Sequence, residues 1–393
     1  MSVNTMNFEQ ASTLLTALHQ QATGQTAIVP TSMEDFVSMA QATIRMGYDP
    51  VLNAITQVLS RTIVSVRPYD RKFSGLEMTN ERWGAVVRKL NFVEGTPEDE
   101  QAYLIPDGKL SGTIPIKKPK IVETHFYGRN VYSDVYTITE KQLTNAFKSY
   151  DAFNEFLSGL MTHFSNQREQ WLEEMTRAGV ANFIGAKITA DTANPNGQVL
   201  HLLTEYNNET GLSLDAQTVR QPENFTPFIR WMYGRLNTLA RKMGERSELF
   251  QQKLNLGKIM RHTPARDLKA YMLAEFKDQI DAQALSTTYN ENYLSMADNQ
   301  GVSYWQAIEN PDQISITPAY IDADGAIASA SAITASNVIG VFFDRDAIGY
   351  NIYDDTIDAS PYDAWNRVYN LVPHVEIQMQ NDITEKGVVL MLD

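Results

Sequence analysis

The sequence predicts an α+β fold, in which strands and helices are interleaved without the regular βαβ order of a parallel sheet. Three observations carry this. Two strand-like runs flank a Gly/Pro-rich excursion between Phe73 and Ile138. A long amphipathic helix starts near Asp151. Short apolar strand candidates then recur among helical segments up to the C-terminal strands at VEIQMQ and GVVLMLD.

Residues 1–70 read as helical arms. In MNFEQASTLLTALHQQ, Phe8, Leu14, Leu15 and Leu18 fall near one face. A second helix follows over SMEDFVSMAQATIRM, with Ser32 as its cap and Glu34 and Asp35 in the first turn. The run DPVLNAITQVLSRTIVSV turns β-branched toward Val64 and Val66. Residues 73–138 read as an extended hairpin projecting from a body. Trp83, Ala85, Val87 and Lys89 alternate with Gly84, Val86 and Arg88, a strand pattern. EGTPEDEQAYLIPDGKLSGTIPIKKPK forms the punctuated tip, and IVETHFYGRNVYSDVYTIT returns. This excursion has few residues able to build a core of its own.

Asp151 is the expected cap of the long helix, in which Phe153, Leu157, Leu160, Phe164, Trp171 and Met175 recur at helical spacing. Some 33 residues are expected, with Gly179 weakening or ending the helix. Further on, VLHLL (199–203) and LKAYML (268–273) suggest strands, and FIRWMYGRLNTLARKM (228–243) and EFKDQIDAQALS suggest helices. ISITPAYI and NVIGVFFD suggest more strands, and NDITEKG reads as the turn between the last two.

The composition narrows the chemistry. The chain of 393 residues has no cysteine, which removes disulfides and thiolate catalysis, and its formal net charge of -14 disfavours gripping nucleic acid through the average surface. The N-terminus lacks the pattern of a signal peptide, and no apolar run reaches the roughly 18 residues that span a bilayer. Sequons at Asn208 and Asn224 read as chance matches. The histidines at 19, 125, 163, 201, 262 and 374 show no metal-binding spacing, and no nucleophile elbow, Walker or dinucleotide motif is present. FFDRDAIGYNIYDD (342–355) sets Asp344, Asp346, Gly349 and Asp355 in an EF-hand frame. That frame fails, because Ile348 cannot ligate at its fifth position and Asp355 is too short for its twelfth. Strand edges around an acidic turn are the better reading. Two basic groups stand out: Lys117, Lys118 and Lys120 near the hairpin's return, and Arg230, Arg235, Arg241, Lys242 and Arg246 along the 228–246 segment. They are solvated faces, or they meet acidic patches on neighbouring copies or DNA.

The order of parts, with HFYGRNVYSDVYTITEKQLTNAFKSYDAFNEFLSGLM (125–161), RLNTLARKM (235–243), RHTPARDLKAYMLAEFKDQIDAQALSTTYNENYL (261–294) and the 342–355 stretch, resembles the major capsid protein of tailed bacteriophages. The fold implied is the Hong Kong 97-type fold, and the sequence is similar to capsid proteins of small podophages of the phi 29 kind. The resemblance implies an N-terminal arm (1–72) and an E-loop hairpin (73–138). It also implies a peripheral domain with a spine helix (139–187 and 363–393) and an axial domain (188–362). The implied function is assembly without catalysis or cofactor. Copies would form pentamers and hexamers that close into an icosahedral or prolate virion shell around double-stranded DNA in the host bacterial cytoplasm. The implied partners are a portal and a separate scaffolding protein, and no membrane. No maturation cleavage, covalent crosslinking or decorating domain is expected. Expected subunit-interface residues are Lys117, Lys118, Lys120, Asp107, Arg235, Arg241, Asp354 and Asp355. An encapsulin-like compartment shares the implied fold, and an acidic metal-dependent enzyme using the aspartates at 344–358 is the rival of another class.

Overall fold

Ser149 starts a helix much longer than the sequence suggests. In the computed structural model, which describes residues 8–24, 26, 29–45, 51, 52, 55, 71–78, 86–95, 118–287 and 299–393, it runs over 44 residues, Tyr150–Ala193. Ser149, rather than Asp151, is the cap, and its side chain accepts a hydrogen bond from the backbone N–H of Ala152 at 3.2 Å. Gly179 does not end the helix. It lies under a strand, where a Cβ would collide with the Met379 thioether, and its carbonyl accepts a hydrogen bond from Asn381 at 2.8 Å. Close packing outweighs the modest propensity cost of about 1 kcal/mol for a helical glycine. The run through Val64 and Val66, Trp83, and the hairpin tip with Asp107 and Lys117 lie outside the described residues.

This helix joins two hydrophobic cores. The first is built by the N-terminal helices α1 (Phe8–Thr23) and α2 (Met33–Arg45) with the first half of the long helix. Ser32 does cap α2, accepting from the Asp35 N–H at 3.1 Å. Phe36 packs edge-on against Phe153 at 5.5 Å, and Phe153 against Phe147 at 5.2 Å. The second core surrounds a five-stranded sheet and takes in Phe183, Ile184, Tyr271, Phe342 and Phe343. Between the two, Gln167, Arg168 and Glu169 form a polar waist on the long helix. Arg168 pairs with Asp355 at 2.5 Å, and Glu169 with Arg71 at 2.6 Å.

The strands, in chain order, are β1 (Val86–Phe92), β2 (Ile121–Tyr127), β3 (Asn130–Ser133), β4 (Tyr136–Thr139), β5 (Val199–His201), β6 (Leu268–Leu273), β7 (Asn299–Val302), β8 (Ile314–Ile316), β9 (Ala319–Ile321), β10 (Ile327–Ser329), β11 (Ile333–Ala335), β12 (Val338–Asp344), β13 (Ile348–Ala359), β14 (Val368–Asn381) and β15 (Gly387–Met391). The helices after α2 are α3 (Glu140–Ala146), the long α4 (Tyr150–Ala193), α5 (Leu202–Thr210), α6 (Pro222–Gly244) and α7 (Ala274–Thr287). β5, β15, β12, β6 and β7 form the five-stranded sheet, in that order. β13 and β14 form the long ladder of a second sheet, to which β3 and β4 add.

Some expectations are adjusted. VLHLL divides at Leu202, where α5 takes over, and ISITPAYI divides into β8 and β9 at Thr317–Pro318, because Pro has no N–H for a ladder. The return strand of the hairpin ends at Tyr127, and the following β3 and β4 pair with β14. The 342–355 stretch is two strands around an acidic turn, and β12 and β13 belong to different sheets, the chain crossing between them at residues 345–347. It crosses back through residues 382–386 into β15, so the last two strands also part company.

Candidate assembly surfaces

The β1–β2 hairpin has two unlike faces. Register sets Leu90 opposite Glu123 and Phe92 opposite Ile121, so these residues and their i±2 neighbours share one side. That side is solvent-exposed: Leu90 is 47%, Phe92 61%, Ile121 47% and Tyr127 68% exposed. Four large apolar side chains on one free ribbon are costly to leave in water, at roughly 25 cal/mol per Å² of apolar surface. Among them, Glu123 bonds Arg88 and lies 2.9 Å from the His125 ring nitrogen, and the Arg88 guanidinium holds the Glu123 carboxyl below its usual range.

The opposite side is fastened to the body. Lys89 reaches Asp382 at 3.0 Å and also pairs with Glu385. Arg261 pairs with Glu385 as well, and its second guanidinium nitrogen donates to Thr384 at 3.0 Å. Beside them the ammonium of Lys187, fully buried, donates to the carbonyls of Phe250, Ile383 and Glu385 at 3.1, 2.9 and 2.9 Å. Burial holds its pKa down at about 7, against the pull of Asp382 and Glu385. Burial alone would raise Asp382, but Lys89 and Arg261 outweigh it and the carboxyl sits below its usual range. Lys386, also inaccessible, donates to the Glu245 carbonyl at 2.6 Å and Ser247 Oγ at 3.0 Å. A backbone bond continues the fastening, from Glu94 N–H to Lys258 O at 2.8 Å. The turn NDITEKG is thus a buried knot of charge. Nothing in its composition distinguishes it from a solvated turn. The charges that meet it, Lys89, Lys187 and Arg261, are far away in sequence.

The expected interface residues fall into three groups. Arg235 and Asp355 are engaged within the chain. Arg235 bonds Glu205 through two nitrogens at 2.6 and 2.9 Å, which raises the guanidinium pKa further, and Asp355 holds Arg168. Asp354 turns one oxygen onto the Asp355 N–H at 3.0 Å, and Lys120 donates to the Leu256 carbonyl. Lys118 and Arg241 lie exposed. Asp344 is likewise occupied, accepting from Thr263 at 2.7 Å and the Asp346 N–H at 2.9 Å. Among the described residues, no group of three or more His, Asp or Glu side chains converges to hold a metal ion. No helix among them is long and apolar enough to cross a membrane.

The sequence matches the family described as Phi29-like phage major capsid protein over residues 99–390, about three quarters of the chain. The chain belongs to that family. The capsid protein also shares its fold with a chain of the capsid structure of Staphylococcus phage Andhra, with a TM-score of 0.55 at 10% identity, covering 84% of this chain and 86% of the other. A chain from the structure described as head fiber and inner core protein gp22 of native bacteriophage P68 matches equally, with a TM-score of 0.55 at 9% identity and the same coverage, 84% and 86%. No curated protein matches the sequence. The fold is that of phage capsids of the Hong Kong 97 type, and the function is that of a shell-forming structural protein of the virion. The family match favours this over the encapsulin-like compartment.

Proposed function

We propose that the capsid protein assembles as pentamers and hexamers, which close into an icosahedral or prolate shell around double-stranded DNA. Assembly would take place in the host bacterial cytoplasm on a separate scaffold, with a portal at one vertex. The observation that carries this reading is the two-faced hairpin. One side is fastened to its own subunit by Lys89, while the other offers Leu90, Phe92, Ile121 and Tyr127 to solvent. In a lone chain that apolar face is a liability. On a neighbouring copy it becomes buried area, repeated at every contact of the shell, so that weak contacts add to a stable whole. The hairpin is then the E-loop. The β13–β14 sheet with the first half of α4 forms the peripheral domain, and the five-stranded sheet with residues 202–335 forms the axial domain. At a net charge of -14, contact with the packaged DNA is weak and independent of sequence.

Electron microscopy of the protein co-expressed with its scaffold tests the reading. Wild type forms shells. Phe92→Asp combined with Ile121→Asp keeps the fold, because both positions are exposed, and yields unassembled subunits or small oligomers. Normal shells from the double variant would refute the role given to this face. A wild type that never assembles would refute the whole reading.

A further inference from the structure

Trp365 is 93% exposed, the most exposed large hydrophobic side chain among the described residues. It stands in the loop joining β13 to β14, and that loop is tightly built. Asp363 accepts from the Trp365 N–H at 2.9 Å and the Asn366 N–H at 3.2 Å, and its second oxygen accepts from the Asn366 side chain at 2.6 Å. Asp363 and Val368 exchange backbone bonds at 3.0 and 3.3 Å. Arg367 takes a left-handed φ of 55°, and its carbonyl accepts from the Glu140 N–H at 3.1 Å. Below, Tyr362 lies against Tyr369 at 4.8 Å and donates to Glu140 at 2.8 Å. A left-handed non-glycine residue costs about 1 kcal/mol or more. Here it helps to hold an indole in open water, where the indole adds nothing to the stability of the subunit. A rigid aromatic on a preset loop binds with little entropy left to lose.

A cleft of about 690 Å³ adjoins the loop. Its walls are the same loop, at Asn366 and Arg367, and the outer side of α3 with its exit, at Lys141, Thr144, Asn145 and Lys148. A plug and a hole thus sit side by side on one edge of the subunit. This arrangement suits a self-complementary contact, in which each of two copies places its plug in the other's hole. Glu140 also lines the cleft, and Lys148 is held by Asn145 Oδ1 at 2.7 Å, which leaves the Lys141 ammonium for an indole face and the Thr144 hydroxyl, itself donating to the Glu140 carbonyl, to accept from the indole N–H.

Resting on the reading that copies of this chain assemble, we propose that Trp365 is an inter-subunit anchor that enters the α3 cleft of a second copy. The chain lacks cysteine, so the test is clean. Shells of the Trp365→Cys, Asn145→Cys double variant, oxidised and run without reductant, should give chains linked to one another. The Trp365→Cys single variant should stay monomeric on the same gel. A double variant that links only within one chain would overturn the proposal. So would a single variant that links to itself, because the two loops would then face each other. Trp365→Ala should match wild type in circular dichroism and melting as a subunit. Its threshold concentration for assembly should rise about 30-fold, the loss typical of an aromatic hot spot. Acrylamide should quench a Trp365 signal in free subunits and lose access to it in shells, with the difference absent in Trp365→Phe. An unchanged threshold, or equal quenching in both states, would refute the anchor while leaving assembly itself standing.

Discussion

Lys89→Met removes the one cation among the hairpin's described residues that enters the buried knot, and its cost can be worked from the surroundings. Lys89 is 17% exposed at the side chain, Asp382 0% and Glu385 9%, so this pair is poorly screened by solvent. Removing one partner of a buried pair costs about 3–5 kcal/mol, mostly through the charge left behind. Two compensations remain. Arg261 still pairs with Glu385, and Thr384 donates to Asp382 through its N–H at 2.9 Å and its hydroxyl at 2.6 Å. The expected loss is therefore near the lower end, about 3 kcal/mol in urea unfolding. Amides of 86–92 and 121–127 should exchange with solvent on the order of 100-fold faster, since each 1.4 kcal/mol is tenfold. Adding Asp382→Asn should recover more than half of the loss by removing the stranded carboxylate. Lys89 has its pKa raised by Asp382 and Glu385 against burial, and Asp382 has its own lowered. The pair's contribution is lost as pH falls through the depressed carboxyl value, and again as it rises through the raised lysine value. The deficit of Lys89→Met should accordingly be flat from about pH 5 to 9. An unchanged urea midpoint together with unchanged hairpin exchange would refute the fastening.

Four further outcomes are expected. Lys187 has a folded pKa of about 7, well below the ordinary lysine value of about 10.4, so the unfolded chain binds the extra proton between them. Stability should rise with pH from 7 toward 10, and Lys187→Met should flatten the slope of urea midpoints measured at pH 7, 8 and 9. Phe153→Ala empties the aromatic centre of the arm core and should cost about 3–5 kcal/mol, with faster proteolysis of α1 and α2 as the local readout. Arg235→Lys loses one arm of a two-point bond to Glu205 and should cost about 1 kcal/mol, whereas Arg241→Ala, on an exposed helix end, should stay within about 0.5 kcal/mol by thermal melting.

Local patterns in the sequence carry some of these features and not others. Alternation places the two hairpin strands, because one face is buried and the other is not, and Ser32 marks the start of α2 because a cap is a local interaction. The helix near Asp151 is legible from its apolar spacing, but its length is not, since Gly179 is tolerated only through Met379, 200 residues later. Sheet membership is also illegible. VIGVFFD and NIYDD are strands by local chemistry, and their division between two sheets depends on partners in β6 and β14. The interface residues follow the same rule. Arg235 reads as a free cation until the fold brings Glu205 to it, and the exposure of Trp365 follows from the loop that Asp363 builds around it.

The two crossings between the sheets have a mechanical consequence. The turn after β12 and the turn before β15 run side by side. Asp344 N–H donates to Lys386 O at 2.9 Å, Asp382 N–H to Ala347 O at 2.7 Å, and the Gln380 side chain to Asp346 O at 3.0 Å. Among the described residues, α4 and these two crossings join the two halves of the subunit, and the crossings are laced together. A torque applied at the Trp365 end is therefore shared by a beam and a pair of coupled straps. Such a subunit twists little, and a deforming shell would yield first at the seams between copies.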